Sequence, residues 1–153
     1  KTKINFSIMK HRSKCALAGC LDHIGDKWSL LIIRDMIFFK KKTFNDFLTS
    51  NESIASNILT NRLKSLLNNG YIEYKINPTN KKVKWYYLTD KGIDTLPIIK
   101  EMMKWTIKNS DFDYSEKSVG IVNRFNYESG GSVNNEIMSS YTDSRDKIIA
   151  NSI

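Results

Sequence analysis

The order helix, helix, short helix, helix, followed at once by a β-hairpin and a further helix, predicts a mainly α fold with a small β-hairpin wing. Two helices joined by a tight turn and followed by such a hairpin make a winged helix-turn-helix. Three observations carry this class. Apolar residues recur at helical spacing through residues 15–67. The pattern then switches to aromatic and β-branched residues over 71–88, as strands require. Basic charge is concentrated in the same part of the chain.

Each element follows from its residues. Ile4, Phe6, Ile8 and Met9 form a short apolar segment, expected to pack as a terminal arm on a partner chain. Cys15–Ile24 reads as a helix with Leu17, Cys20, Leu21 and Ile24 on one side, ended by Gly25. Asp26 is an N-cap for a second helix, Lys27–Phe39, which is apolar nearly all round and belongs at the centre. Lys40-Lys41-Lys42 is a charged loop, and Thr43 caps a short helix, Phe44–Thr49. After the polar turn Ser50–Ser53, Ile54–Leu67 carries Ile54, Ile58, Leu59, Leu63, Leu66 and Leu67 at helical spacing. Asn68-Asn69-Gly70 is expected to stop it, since Asn and Gly tolerate the left-handed conformation of a C-cap.

Tyr71–Ile76 and Val83–Leu88 are the strands of the hairpin, with Asn77-Pro78-Thr79-Asn80 as the turn and Lys81 and Lys82 at its basic tip. Thr89 caps a last long helix, Asp90–Lys108, with a kink expected at Pro97. These elements define a domain over residues 1–110, with its dimerisation helices, and a helical C-terminal extension over 111–153 with a packing or dimerisation role. In the extension Val119, Val122 and Phe125 share a face, Gly130-Gly131 is a break, and Ser132–Ile149 forms a patchy amphipathic helix.

The formal net charge is +8 over 153 residues. Residues 1–110 hold 20 Lys and Arg against 9 Asp and Glu, whereas residues 111–153 hold 4 against 7. A polyanion is the natural partner of so basic a domain. No apolar run reaches the length of a membrane span, since Arg34 and Asp35 interrupt Leu30–Phe39. Two cysteines form no disulfide framework, so the expected home is a reducing cytoplasm, without a signal peptide or membrane association.

The helix Ile54–Leu67 carries the functional expectation. Opposite its apolar stripe it shows Asn57, Thr60, Asn61 and Lys64, with Ser56 in the first turn. Asn can make two hydrogen bonds to adenine, Lys can donate to guanine, and the Thr methyl can meet that of thymine. Asn and Thr are poor helix formers, so solvation alone would favour other residues there. Lys40, Lys41, Lys42, Arg62, Lys81 and Lys82 fall where DNA phosphates would lie and would position the protein without reading sequence.

The order and spacing of several motifs resemble the HxlR-type winged-helix transcriptional regulators, which share their fold with the MarR group. The motifs are Arg12-Ser13-x-Cys15, then Leu21-Asp22-x-x-Gly25-Asp26-Lys27-Trp28-Ser29-Leu30-Leu31-Ile32-Ile33-Arg34-Asp35, then Phe44-Asn45-x-Phe47. Ile54-x-x-x-Ile58-Leu59-x-x-Arg62-Leu63, Gly70, Tyr86-x-Leu88-Thr89-x-x-Gly92, Leu96-Pro97 and Trp105 complete the set, over residues 12–105. The resemblance implies a homodimer built on the first and last helices of this region. It also implies recognition of a pseudo-palindromic operator in double-stranded DNA and, in some members, a cysteine sensor at the position of Cys15. Three departures stand out. Ala16 replaces the family's Pro after the cysteine, and Ala55 replaces its Ser at the start of the recognition helix, which shifts the expected cap to Ser53. The wing also lacks the family's paired prolines.

Cys15 is therefore the candidate redox sensor, with Arg12 and Lys14 as cations that would favour its thiolate; the alternative is a small residue at a helix start. Cys20 is expected in the core. His11 and His23 have no metal-ligand spacing with the cysteines, and no nucleophile–base pair or phosphate-binding Gly loop is present. The expectation is thus a regulator responsive to an oxidant or small molecule, not an enzyme, with no metal or cofactor. The competing reading is a winged helix used for protein–protein assembly. Asp22, Asp26 and Asp35 are expected as caps and helix-surface charges.

Overall fold

The computed structural model describes residues 12–127 and 131–151. Within them lie α1 (Ala16–Ile24), α2 (Ser29–Phe39), α3 (Phe44–Leu48), α4 (Ser56–Asn68), β1 (Ile72–Ile76) and β2 (Lys84–Leu88). They continue with α5 (Asp90–Ile93), α6 (Leu96–Asn109), α7 (Glu116–Tyr127) and α8 (Ser132–Ala150). The strands form an antiparallel hairpin in which Ile72 faces Leu88 and Ile76 faces Lys84. The fold is mainly helical with a two-stranded wing. The apolar arm at residues 4–9 lies outside the described residues.

Local chemistry sets the element boundaries. Asp26 accepts from the backbone N–H groups of Trp28 and Ser29, both at 2.9 Å, so it caps α2 although the regular helix starts later than expected. Thr43 and Asp46 form a reciprocal capping box at the start of α3. At the end of α4, Gly70 adopts φ +71°, Gly70 N–H donates to Leu67 O and Tyr71 N–H donates to Leu66 O. That pair of bonds is a Schellman stop, with Gly at the position that requires a left-handed backbone.

The long helix expected over Asp90–Lys108 is two helices. Pro97 occupies the first turn of α6, where its missing N–H costs nothing, so it starts a helix instead of kinking one. The short α5 is pinned beneath the wing. Thr89 N–H donates to Tyr71 O, and a Cβ on Gly92 would come within 2.2 Å of that same carbonyl oxygen. Only glycine permits this approach.

One core unites these parts. Ile33 and Met36 of α2, Leu59 of α4, Ile72 and Leu88 of the hairpin and Leu96 of α6 are fully enclosed. Phe125 of α7 and Val133, Ile137 and Tyr141 of α8 join the same cluster. Val122 is buried and Val119 is exposed, so the expected face of α7 is only partly used. α8 lies along α2 and β2, and α7 lies against α6. The Leu88 N–H, on the outer edge of β2, donates to the Tyr141 hydroxyl oxygen at 2.8 Å. Arg145 pairs with Asp90 at 2.7 Å, which fixes α8 to the start of α5.

Candidate nucleic-acid interface

The short turn 49–55 joins α3 to α4 and sets the angle at which α4 leaves the body. Asp35 controls it from below. Expected on a helix surface, Asp35 is instead buried, because α2 is enclosed on that side too. Its carboxylate accepts from Arg34, from the Lys41 ammonium at 3.0 Å and from the Ser50 hydroxyl. Arg34 reaches on to Glu52 through both terminal nitrogens, at 2.6 and 3.0 Å. Burial opposes the charge on Arg34, but the hydrogen bonds from Glu52 and Asp35 outweigh it and raise its pKa. The Arg34 hydrogen bond holds the Glu52 carboxyl below its ordinary range. The sequence does not reveal this clamp. Its only trace there is an Arg-Asp pair inside an otherwise apolar helix.

Ser53 does not take over the cap of α4. It sits at φ +55°, and its hydroxyl faces the Asn51 carbonyl at 3.5 Å. Ala55 stands at the N-cap without any side-chain acceptor, so the first turn of α4 keeps its N–H groups open. Such an end attracts a phosphate.

The outer face of α4 presents Ser56, Asn57, Thr60, Asn61 and Lys64, all exposed. Their neighbours Leu59, Leu63 and Leu66 face the core. Thr60 donates its hydroxyl to the Ser56 carbonyl at 2.8 Å, so its methyl is the group left to offer a partner. Arg62 is half-buried and pairs with Asp26 at 3.3 Å, tying α4 to the start of α2. Burial opposes ionisation of Asp26, yet hydrogen bonds from Ser29 and Trp28, with the charge of Arg62, lower its pKa.

The basic residues divide into two groups. Lys81 and Lys82 are exposed at the wing tip, where Asn77 and Asn80 organise the turn by accepting from the N–H groups of Thr79 and Lys82. The loop lysines are engaged within the chain. Lys41 is held by Asp35 and Ser50. Lys40 donates to the Ile37 carbonyl at 3.0 Å and lies 5.2 Å from the Tyr141 ring centre, and burial lowers its pKa. The Lys42 ammonium lies 4.1 Å over the Trp85 ring, in the half of the hairpin nearer its tip. Lys84 lies 4.2 Å over Tyr74, a second cation on the hairpin.

A helix with an uncapped, polar outer face beside a basic hairpin is the arrangement of a winged helix-turn-helix. The HxlR-like helix-turn-helix family model matches residues 23–114. The chain belongs to the HxlR-like helix-turn-helix family. Among its relatives, the uncharacterized HTH-type transcriptional regulator YybR of Bacillus subtilis (strain 168) is 32% identical over 117 residues, covering 76% of this chain and 92% of that protein. A similar regulator, BH0655 of Halalkalibacterium halodurans, is 31% identical over 60% of this chain and 80% of its own length. Among solved structures, PA1607 is similar with a TM-score of 0.60 and 33% identity, over 69% of this chain and 72% of that one. The redox regulator HypR in its oxidised form follows at TM-score 0.56 and 31% identity, over 64% of this chain and 100% of HypR. The HxlR-like match ends before α7, so α7 and α8 lie beyond it.

Two further features bear on the family expectation. Leu17 and Leu21 of α1 and Ile98, Met102 and Trp105 of α6 are exposed, Trp105 by 65%. The α6 residues are spaced four and three apart and form one stripe. Cys15 is exposed at the start of α1, in an open hollow shared with Cys20, His23, Tyr71 and Ile98. Arg12, one of the two cations expected beside it, is engaged with Asp22. Cys20 is half-buried against the core. Among the described residues, no group of three or more His, Cys, Asp or Glu could hold a metal ion, and no helix is long and apolar enough to cross a membrane.

Proposed function

We propose that this chain is a sequence-specific DNA-binding transcriptional regulator that acts as a homodimer on a pseudo-palindromic operator. The observation that carries the reading is the outer face of α4. Ser56, Asn57, Thr60, Asn61 and Lys64 are presented together on a helix with an open N-terminus, and the hairpin whose first strand packs on α4 exposes Lys81 and Lys82 at its tip. α4 enters the major groove and these side chains read base edges. Lys81 and Lys82 meet phosphates from the wing tip, and Lys40 and Lys42 from the loop after α2. Lys41 and Arg62 contribute in a second way, by holding the turn and the helix through Asp35 and Asp26.

The exposed stripes of α1 and α6 supply the dimer face. Ile98 borders both the apolar trough over α6 and the hollow beside Cys15, so the α6 stripe reaches the edge of that hollow. Dimerisation places two α4 helices about 34 Å apart, one turn of DNA. Oxidation of the exposed Cys15, at the edge of that face, is the route by which an oxidant would act on the dimer. The similarity to the redox regulator HypR supports this part of the reading.

The test is equilibrium binding of a mixed-sequence duplex across salt concentrations. Neutralising about six to eight phosphates gives a log–log slope of about −5 to −7. No affinity above background in low salt contradicts the proposal.

A further inference from the structure

Beyond the interface, a cavity of about 340 Å³ lies between α2, the turn that follows α3, α6 and α7. Its walls differ in character. Phe38, Phe39, Met103 and Ile121 make an apolar side, and the Arg34–Asp35–Glu52–Lys41 cluster makes a charged one. Lys117 completes it. Its ammonium lies 4.9 Å over the Phe39 ring and, among the described residues, has no carboxylate partner. Arg34 makes four hydrogen bonds to Asp35 and Glu52, which leaves one of its five N–H groups unused by either carboxylate. The volume falls within the range of small-molecule sites, and a few polar groups in an apolar pocket are their usual composition.

We infer that this cavity is a binding site for a small aromatic carboxylate, with the ring against Phe38, Phe39, Met103 and Ile121 and the carboxylate on Lys117 and Arg34. Charge selects the sign of the ligand. Asp35 is enclosed and already has three partners, so no buried acid waits for a cation. The unpartnered charge at the cavity is positive. Because α7 forms one wall and lies beyond the HxlR-like match, the site belongs to the extension of this chain as much as to the family core.

Binding there reaches the DNA-facing helix, a consequence that rests on the DNA-binding reading above. Glu52 is partly exposed and, among the described residues, its ion pair is with Arg34, which holds the turn before α4. A ligand carboxylate on the remaining N–H of Arg34 shares that guanidinium with Glu52, weakens the Arg34–Glu52 pair, loosens the turn and lowers DNA affinity.

The probe is 2-naphthoate, with the neutral 2-naphthamide as control, titrated into the whole chain without DNA and followed by calorimetry. The expected result is saturable naphthoate binding, at least tenfold weaker binding of the amide, and at least tenfold loss in Lys117→Gln with recovery in Lys117→Arg. Lys117 is exposed, so these variants leave the core intact. No naphthoate binding, or binding equal for the amide or for Lys117→Gln, overturns the site. Duplex binding is then measured with and without naphthoate. Bound naphthoate that leaves measurable DNA affinity unchanged overturns the effector role. A chain that binds no DNA refutes the regulator reading, while the naphthoate titration still decides the site.

Discussion

Asn57 and Asn61 sit one turn apart on the outer face of α4, exposed. If they read bases, Asn57→Ala or Asn61→Ala should lower discrimination between a selected site and random DNA by about 1–3 kcal/mol each. Competition binding measures this, and an unchanged ratio would remove these residues from the readout. Tyr141 makes a different kind of prediction. Burial pushes its pKa up to about 12 from 10.0, because the phenolate is the disfavoured form. Its contribution to stability is therefore present below pH 10 and lost as pH rises through about 12. Tyr141→Phe orphans the Leu88 N–H, should cost about 1–3 kcal/mol, and should flatten the alkaline fall in a denaturant series. A variant as stable as the parent at neutral pH would show that the contact carries nothing. The base-reading candidates can be named from sequence because helical spacing alone decides which side chains share a face. The Asp35 clamp cannot, because its partners Lys41 and Ser50 come from a loop and a turn whose path no periodicity records.

For the elements, legibility follows the strength of local signals. α1, α2, α4 and the hairpin can be placed from apolar period, Asp26, Gly70 and the Asn-Pro turn, each of which acts within a few residues. Pro97 and Ser53 depart from expectation, and at each a competing local option wins. Pro97 can kink a helix or open one, and the choice depends on Thr95 and Leu96 being buried, which turns the chain there. Ser53 is a good cap by type, but the left-handed turn carries it away from α4. The wing offers the clearest test at this scale. Lys81→Ala or Lys82→Ala should weaken binding to all sequences alike and reduce the salt slope by about 0.9 for each phosphate no longer neutralised. Salt titrations on selected and random duplexes measure it, and a weakening confined to the selected site would place the wing among the base readers.

As a whole, the molecule leaves one apolar face uncovered and covers another. α7 and α8 close over α2, α6 and β2, so the tail completes the same core that orients the wing. Weak amphipathic patterning makes its helices visible in the sequence but not its docking site, since packing of residues 50 or more apart leaves no local trace. The stripe Ile98, Met102 and Trp105 stays exposed. Trp105→Asp should therefore convert a dimer into monomers in sedimentation velocity while leaving the thermal transition in place; a parent chain that is already monomeric would refute the assigned face. The central claim, that paired α4 helices read a defined operator, is tested most directly by selecting binding sites from a pool of random duplex DNA. A dimer with paired α4 helices enriches a pseudo-palindrome whose half-sites lie about 34 Å apart, one helical turn. A pool that binds and emerges with no enriched sequence, or with a single unrepeated half-site, would contradict it.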